Sequence, residues 1–396
     1  MPVRYIRVDP TVNLFAPAVR AFGTIAIVGR VTTPAPTSPA SASASASASA
    51  SASAKKSAAA DAAAAVPPTP VAFTSPDKAE ETFPGELGKA LTLVFKQSPG
   101  PTLVYGVPVD ATAPDWKGAL SAVAGLNVQL VVVANTPIDA TSKAPDGPIG
   151  LLSAHVTSVS DTGADGMERM GVAMLPKGSA DPKVILPNER MVYIAHNSDE
   201  DAAVAVTGTI AGYEPFVSLL LKQVNIESPP FNPTDIDTLN GPTEVSGSGP
   251  TGAGVNWLTT PALIPGNGVY MGEGYTGNPG SPKKYIDVCR FIDHLSFLLK
   301  AQLIGSIGNV RISRSGLRAL VAQMEAVLSP FVDAGVLNSF EIVVPVLALL
   351  DKDPATLTTD EANRIHTAEV QRLVQVLAAV EYAGAVHRIS IDLKFE

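Results

Sequence analysis

The chain has 396 residues, of which 46% are hydrophobic and only 16% charged, and its 28 Lys and Arg against 37 Asp and Glu leave a net charge of −9. That length accommodates two or three domains with a substantial core, and the negative balance argues against general nucleic-acid binding. A single cysteine, Cys289, excludes an internal disulfide and any cysteine-cluster zinc site; among apolar neighbours it reads as a small buried side chain. No stretch approaches the roughly 18 apolar residues of a membrane span, and the opening MPVRYIRVDP lacks the apolar core of a secretory signal. The expectation is a protein made and folded in a cytoplasm, without direct membrane insertion.

Residues 1–20 read as an extended N-terminal arm, with Val3, Tyr5, Ile6 and Val8 set among Arg4, Arg7 and Asp9 and with Pro10 and Pro17 bracketing the rest; a frayed terminus is the alternative. Thr24–Gly29 (TIAIVG) reads as a short buried strand. Val31–Pro70 is Pro, Ser, Thr and Ala, with a pure Ser-Ala run from Ser41 to Ala54. Nothing there offsets the entropy of ordering the chain, so a disordered insertion without chemistry is expected.

Globular pattern returns at Val71. Ser75–Glu80 starts a turn or helix cap, Gly88–Gln97 is helical in pattern with Leu87, Leu91, Val94 and Phe95, Pro101–Pro108 is a strand, and Trp116–Ala124 is a short helix. Val128–Ala134 (VQLVVVA) is apolar on both faces, as in a covered parallel sheet. A helix follows at Ile149–Val159, strands at Arg169–Leu175 and Arg190–Ala195, and a helical region at Val204–Leu221. Strands separated by helices imply an α/β layer. Residues 223–280 are rich in Gly, Pro, Asn and Thr, with distinct elements at Phe231–Asn240, Gly254–Trp257 and Gly266–Gly272, and with Gly241–Ala253 read as a surface loop.

The strongest pattern lies in Tyr285–Val344. Ile286, Cys289, Phe291, Ile292, Leu295, Leu298, Leu299 and Leu303 recur at helical spacing, Gly305–Asn309 interrupts, and a second stripe runs through Leu317, Leu320, Val321, Met324, Val327, Leu328, Phe331 and Val332. Gly335 supplies the left-handed turn that ends a helix, and Phe340–Val344 has strand character. Leu357–Glu369 is a polar helix with Thr358 or Thr359 as its cap, and Val370–Tyr382 fits strand better than helix. Arg388–Glu396 alternates cleanly, with Ile389, Ile391, Leu393 and Phe395 on one face. A terminal strand with one apolar face needs a sheet to join. Strand addition between copies satisfies both chain ends; pairing within the same subunit is the alternative.

Charge is unevenly placed. Ser57–Tyr270 holds 10 basic and 22 acidic residues, a balance of −12, whereas Lys283–Pro330 holds seven basic and three acidic, a balance of +4. The two parts are expected to face different partners.

The run Tyr285-Ile286-Asp287-Val288-Cys289-Arg290-Phe291-Ile292, then Asn309, then Ala334-Gly335-Val336-Leu337 resembles the C-terminal domain of contractile tail sheath proteins, found in contractile-tailed phages, R-type pyocins and related contractile injection systems. Cys289-Arg290 stands where that family usually has an Arg-Arg pair. Phe231–Asn240 with its T-x-x-x-x-x-L-N spacing, Gly254-Val255-Asn256, and the Gly-rich strand at Gly266–Gly272 follow in the family's order. The resemblance covers most of the chain outside Val31–Pro70 and Gly241–Ala253.

The resemblance implies an α/β (α+β) architecture. Its parts are an N-terminal arm (1–20), a sheath core (21–30 and 266–396, including a C-terminal arm at 386–396), the Ser/Ala/Pro-rich insertion (31–70) and an inserted outer α/β domain (71–265). It further implies a homo-oligomer: a helical sheath around an inner tube protein, attached to baseplate and terminator or cap proteins and assembled into a phage tail or injection-system particle. In that setting Val3, Tyr5, Ile6, Val8, Ile389, Ile391, Leu393 and Phe395 form inter-subunit arms. The basic stretch, with Lys283, Lys284, Arg311, Arg314 and Arg318, faces the tube. No cofactor is implied, because contraction draws on energy stored at assembly.

Catalytic motifs do not appear. There is no Walker A sequence, G-x-S-x-G, H-E-x-x-H or C-x-x-C. The Gly-rich run at Gly266–Gly274 is not spaced as G-x-G-x-x-G and does not sit between a first strand and a helix. The histidines (His155, His196, His294, His366, His387) are isolated, His294 reading as a solvated or interface side chain beside Asp293. Asp199-Glu200-Asp201 reads as a solvated turn capping the next helix rather than a cation site. The rival reading is an α/β enzyme, hydrolase-like, with an unfamiliar site.

Overall fold

A computed structural model describes residues 22–32, 67–162, 166–241 and 252–387. The expected arm residues Val3 to Val8 and Ile389 to Phe395, nearly all of the Ser/Ala/Pro-rich segment and most of the Gly241–Ala253 loop lie outside the described residues. The described chain divides into two units. One comprises Gly23–Glu214 and Leu219–Ile286; the other takes Phe22, Pro215–Ser218 and the chain from Asp287 onward.

The first unit is built on a nine-stranded sheet. In chain order its elements are β1 (Ile25–Val31), β2 (Val71–Phe73), α1 (Ala79–Thr82), α2 (Glu86–Phe95), β3 (Val104–Asp110), α3 (Trp116–Ala124), β4 (Leu130–Pro137), α4 (Pro148–Asp161), β5 (Met170–Met174), β6 (Met191–Ala195), α5 (Ala202–Gly212), β7 (Gln223–Val224), α6 (Pro233–Asn240), β8 (Asn256–Thr259) and β9 (Val269–Met271). The spatial order is β2-β3-β1-β4-β5-β6-β8-β9-β7. Pairing is parallel from β3 through β8 and antiparallel at both ends. The first five parallel strands therefore follow a 2-1-3-4-5 doubly wound order, with its switch point between β1 and β4.

Alternation explains why these apolar runs became central strands. Ala26, Val28, Val131 and Val133 pack with Trp116, Leu120, Ile149 and Leu152 of α3 and α4. The alternate residues Ile25, Ile27, Leu130 and Val132 are equally inaccessible, on the opposite face. α5 is buried at every residue from Ala202 to Ala211, as expected of a helix apolar all round. Its approach to α2 requires Gly208, where a Cβ would lie 2.7 Å from the Val94 carbonyl oxygen. The helix expected over Val204–Leu221 stops at Gly212. A Cβ at Gly212 would fall 2.2 Å from the Pro99 carbonyl oxygen, and Pro215 forbids a helical continuation.

The compact units do not divide at the expected residues 30 and 266. β1 lies in the middle of the same sheet as β3 to β6, and β9 belongs to it too. A strand buried on both faces needs neighbours on both sides, and the apolar run at Ile25–Val28 finds them in β3 and β4. Asn256 ties the end of this sheet together. Fully buried, its amide donates to the carbonyls of Tyr193 (3.2 Å) and Tyr275 (2.9 Å), and its oxygen accepts from the Tyr275 N–H at 2.6 Å.

The second unit contains α7 (Ile286–Ile304, entered from the first unit), α8 (Arg314–Asp333), β10 (Leu337–Val343), α9 (Pro345–Leu350), α10 (Thr359–Gln371) and β11 (Leu377–Tyr382). Ser313 caps α8 by accepting from Gly316 N–H at 3.2 Å. The far end closes as a Schellman turn: Gly335 sits at φ +70°, its N–H donates to the Val332 carbonyl, and Val336 N–H donates to that of Phe331. Phe291, Leu295, Leu328, Val336 and Leu337 form the core, with Phe216, Phe331, Phe340, Ile342 and Tyr382 packed against it. Cys289 is buried, as expected. The TTDE sequence resolves in favour of Thr358, which forms a reciprocal capping box with Glu361. The strand expected over Val370–Tyr382 begins only at Leu377; Val370 and Gln371 finish α10, and Arg372 turns the chain at φ +52°.

Candidate assembly surfaces

β10 and β11 form a two-stranded antiparallel sheet, Phe340 opposite Val380 and Val343 opposite Leu377. Phe340 and Ile342 direct β10 onto the core. β11 is exposed at five successive residues, Leu377 to Glu381, and Tyr382 alone is half-buried. Its sequence, LAAVEY, carries one charge and no proline. Among the described residues neither outer edge of this sheet has a ladder partner. Val343, Val370, Leu373, Leu377 and Val380 are exposed large apolar side chains of this two-stranded sheet, of the end of α10 and of the turn that leads into β11. An unpaired edge that carries little charge is a template for another strand.

The sheet is anchored by Tyr382. Its hydroxyl lies 2.9 Å from Asp287 Oδ2 and 3.2 Å from the Phe216 carbonyl oxygen, and its ring packs 5.3 Å from that of Phe291. Burial first, then the Asp287 carboxylate, pushes the Tyr382 phenol above its ordinary range. Arg290, one turn along α7, is pulled down to about 10 by burial while Asp287 opposes the shift; it remains charged at neutral pH, and one of its Nη atoms donates to the Phe22 carbonyl at 3.3 Å. Past β11, Ala383 N–H donates to the Val336 carbonyl and the His387 ring meets Ser218 Oγ at 2.9 Å. Residues 383–387 thus run to Ser218 instead of folding back along β11.

The five cations singled out in sequence are divided between the two units. Lys283 pairs with Glu189 at 3.0 Å, and Lys284 stands over the rings of Tyr275 and Tyr285, all in the first unit. Arg314 and Arg318 belong to the second unit. Both face Asp351, at 3.8 and 3.0 Å, and Arg314 also donates to the carbonyls of Leu350 and Lys352. They cap the carboxyl end of α9, where free carbonyls favour a cation. Arg311, in the loop before α8, is exposed.

Sequence reasoning missed two features of the α7–α8 hairpin. Ile304 and Ile307 at its turn are 66% and 76% exposed, although Ile304 continues an apolar stripe. Between the helices runs an apolar groove of about 340 Å³, lined by Leu298, Ala301, Gln302, Ala326, Val327, Pro330 and Phe331.

At the switch point of the large sheet lies a crevice of about 640 Å³, the usual ligand position in doubly wound folds. Its polar groups are engaged with one another. Asn135, at φ +48°, donates its side-chain amide to Glu86 (3.0 Å) and its backbone N–H to Asp201 (2.5 Å); Glu86 faces Arg30 at 3.7 Å. Asp201 also caps α5 through Val204 N–H at 3.0 Å, so the expected capping role holds. Protein surrounds this carboxyl more closely than the expected solvated turn allows, and the resulting desolvation pushes its pKa up to about 6. Among the described residues no three His, Cys, Asp or Glu side chains gather as metal ligands, and no helix is long and apolar enough to cross a membrane. His155 is half-buried beside Arg169, and desolvation first, then the Arg169 charge, lowers its pKa to about 4; His196 is buried between the Leu175 carbonyl and Ser198 N–H. The Gly-rich run has a packing role: a Cβ at Gly272 would lie 2.2 Å from the Trp257 indole nitrogen.

No family model matches the sequence, and no curated protein matches it. Solved structures do share its fold over the full length. The anti-feeding prophage (AFP) helical sheath in contracted state aligns at 14% identity and TM-score 0.63, over 100% of this chain and 99% of that one. The PVC sheath complex of an extracellular contractile injection system, also contracted, aligns at 10% identity and TM-score 0.63, over 100% and 98%. A chain of the six-fold symmetrised AFP baseplate aligns at 14% identity and TM-score 0.61, over 100% and 99%. This mixed α/β chain with its large parallel sheet has the fold of those contractile-system chains.

Proposed function

We propose that this chain is the structural subunit of a contractile sheath, self-assembling into a helical sheath around an inner tube and contracting to drive the tube through a target envelope. The observation that carries this reading is the end-to-end likeness of fold to chains of contracted sheaths. The unpaired β10–β11 sheet supplies the means: each copy offers strand edges, and the arms at Val3–Val8 and Ile389–Phe395 of neighbouring copies pair with them. Residues 383–387 run to Ser218 and not along their own β11, which favours pairing between copies. The subunit is made in a cytoplasm and joins tube, baseplate and terminator or cap proteins in a tail or injection particle.

No catalysis is needed, since contraction releases energy held in the assembled lattice. The hydrolase reading gains no support from the crevice, whose carboxylates cap α5 and pair with Arg30 and Asn135. For the tube-facing surface the free cation Arg311 is the strongest of the five candidates, because Arg314 and Arg318 already hold the end of α9. Negative-stain microscopy of the purified chain, alone and with its tube partner, tests the function. Hollow helical polymers are expected; a protein that stays monomeric at high concentration in both mixtures refutes it.

A further inference from the structure

The chain crosses between its two units at Phe22 to Gly23, Glu214 to Pro215, Ser218 to Leu219 and Ile286 to Asp287. The excursion Pro215–Ser218 belongs to no helix or strand, so side chains hold it in place. Those side chains come from its own, second unit. The Tyr382 hydroxyl reaches the Phe216 carbonyl at 3.2 Å and Asp287 Oδ2 at 2.9 Å, its single proton divided between two acceptors. Beyond β11 the His387 ring meets Ser218 Oγ at 2.9 Å. The Phe216 ring packs edge-on against Phe291 and Phe331, with centroids 6.4 Å away in both cases. Arg290, buried one turn beyond Asp287, holds the remaining crossing through the Phe22 carbonyl at 3.3 Å. Tyr382 and His387 thus grip the excursion and the start of α7 together, from the end of a strand that is exposed at five of its six residues.

We propose that β11 and the residues after it form a latch on these crossings: β11, Pro215–Ser218 and the first turn of α7 open and close as one cooperative unit, and a strand added at the β11 edge closes it. Little burial opposes the lifting of β11, so it opens at lower cost than the large sheet. When it lifts, Tyr382 and His387 leave with it, and Phe216, Ser218 and Asp287 lose their partners in the same event. Coupling of this kind is reciprocal: loosening the excursion must also loosen β11. The opening is a property of the free chain; its closure by an added strand rests on the sheath reading.

Cys289, the only cysteine and fully buried between Asp287 and Arg290, supplies a probe at the start of α7. Its labelling rate with a thiol reagent is measured on the full, unassembled chain, alongside amide exchange in β11, β1 and β4. Ser218→Ala deletes one tie from the excursion side, and His387→Ala deletes the same tie from the other. Each should speed both Cys289 labelling and β11 exchange by the same factor, about fivefold for one hydrogen bond, and leave β1 and β4 unchanged. Acceleration confined to residues beside the deleted tie, or spread equally to β1 and β4, overturns the latch. In wild-type polymers Cys289 labelling and β11 exchange should both slow. Polymers that protect β11 and leave Cys289 labelling at its free-chain rate overturn closure of the latch by an added strand, with the sheath reading intact. A chain that forms no polymer refutes the sheath reading, and the two variants still decide the latch.

Discussion

β1 and β11 are both strands of ordinary length, and they differ in almost everything else. β1 pairs on both sides and is buried at six of its seven residues. β11 pairs on one side and is exposed at five of its six. Burial of Ile25, Ile27 and their neighbours fixes the doubly wound unit as a finished object, each side chain contributing roughly 1.5–3 kcal/mol. Among the described residues β11 leaves apolar surface exposed and its outer edge unpaired, and under the proposed sheath function another strand completes the β10–β11 sheet. Under the proposed function, stability of the single chain and its assembly rest on different strands, and substitutions should separate them.

The largest effect should come from a charge in the finished sheet. Val132→Asp places a carboxylate in β4 where no solvent reaches; the cost, at least about 4 kcal/mol, approaches the stability margin of a domain. Soluble protein should be lost. Leu377→Asp in β11, where the residue is 51% exposed, should change chain stability by no more than about 0.5 kcal/mol and still block polymer formation. If Leu377→Asp unfolds the chain as Val132→Asp does, the division of labour between the strands is wrong.

Next in size is the arm that should complete β11. Ile391→Asp with Leu393→Asp removes two apolar contacts of roughly 1.5–3 kcal/mol each and desolvates two charges. Polymerisation should be abolished and circular dichroism of the monomer unchanged. A lowered monomer melting temperature would falsify pairing between copies, because it would mean that the arm completes its own subunit.

What periodicity reveals is which residues seek burial, and this explains both its reach and its failures. Trp116–Ala124, the Gly335 stop and the Thr358 cap were legible because local spacing and capping chemistry determine them. The partners of β1 were not, because a parallel sheet is assembled from strands far apart in sequence. The partners of Arg314 and Arg318 at the end of α9 were not legible, because so short a helix has too few residues for a periodic signal. Ile304 continues an apolar stripe and yet stays exposed: pattern records affinity for an apolar environment, and the partner that supplies it need not be in the same chain. Asp201 reads as solvent-facing from its acidic neighbours, but the crevice that crowds it exists only after β4, α2 and α5 have packed.

That crevice gives the finished unit a pH dependence. The Asp201 pKa is raised from 3.8 to about 6 in the folded chain. A carboxyl shifted in this direction favours folding below the unfolded pKa, where it is neutral in both states, and loses that contribution as pH rises through the folded value. Between pH 4 and 7 the loss amounts to up to about 3 kcal/mol. Glu86 from α2 is the like charge facing it; Arg30 from β1 answers Glu86, and Asn135 from β4 donates to both carboxylates. Asp201→Asn keeps an acceptor suited to the helix cap and cannot ionise. Its melting temperature relative to wild type should therefore rise as pH increases from 4 to 7. A difference that is constant over this range would show that Asp201 does not titrate there.

The smallest predicted effect lies at the joint between β11 and α7. Tyr382→Phe keeps the ring against Phe291 but removes the hydroxyl that lies 2.9 Å from Asp287 and 3.2 Å from the Phe216 carbonyl. The net loss for one such hydrogen bond is about 1 kcal/mol, rising toward 3 because the buried Asp287 carboxylate loses a donor. Since β11 has little other burial, the loss should appear as local opening before global unfolding. Amide hydrogen exchange should accelerate about fivefold or more across β11 and its β10 partners, with the amides of β1 and β4 unchanged. Uniform acceleration in all four strands would mean that the β10–β11 sheet does not open separately from the large sheet, and that the contrast between β1 and β11 does not extend to their dynamics.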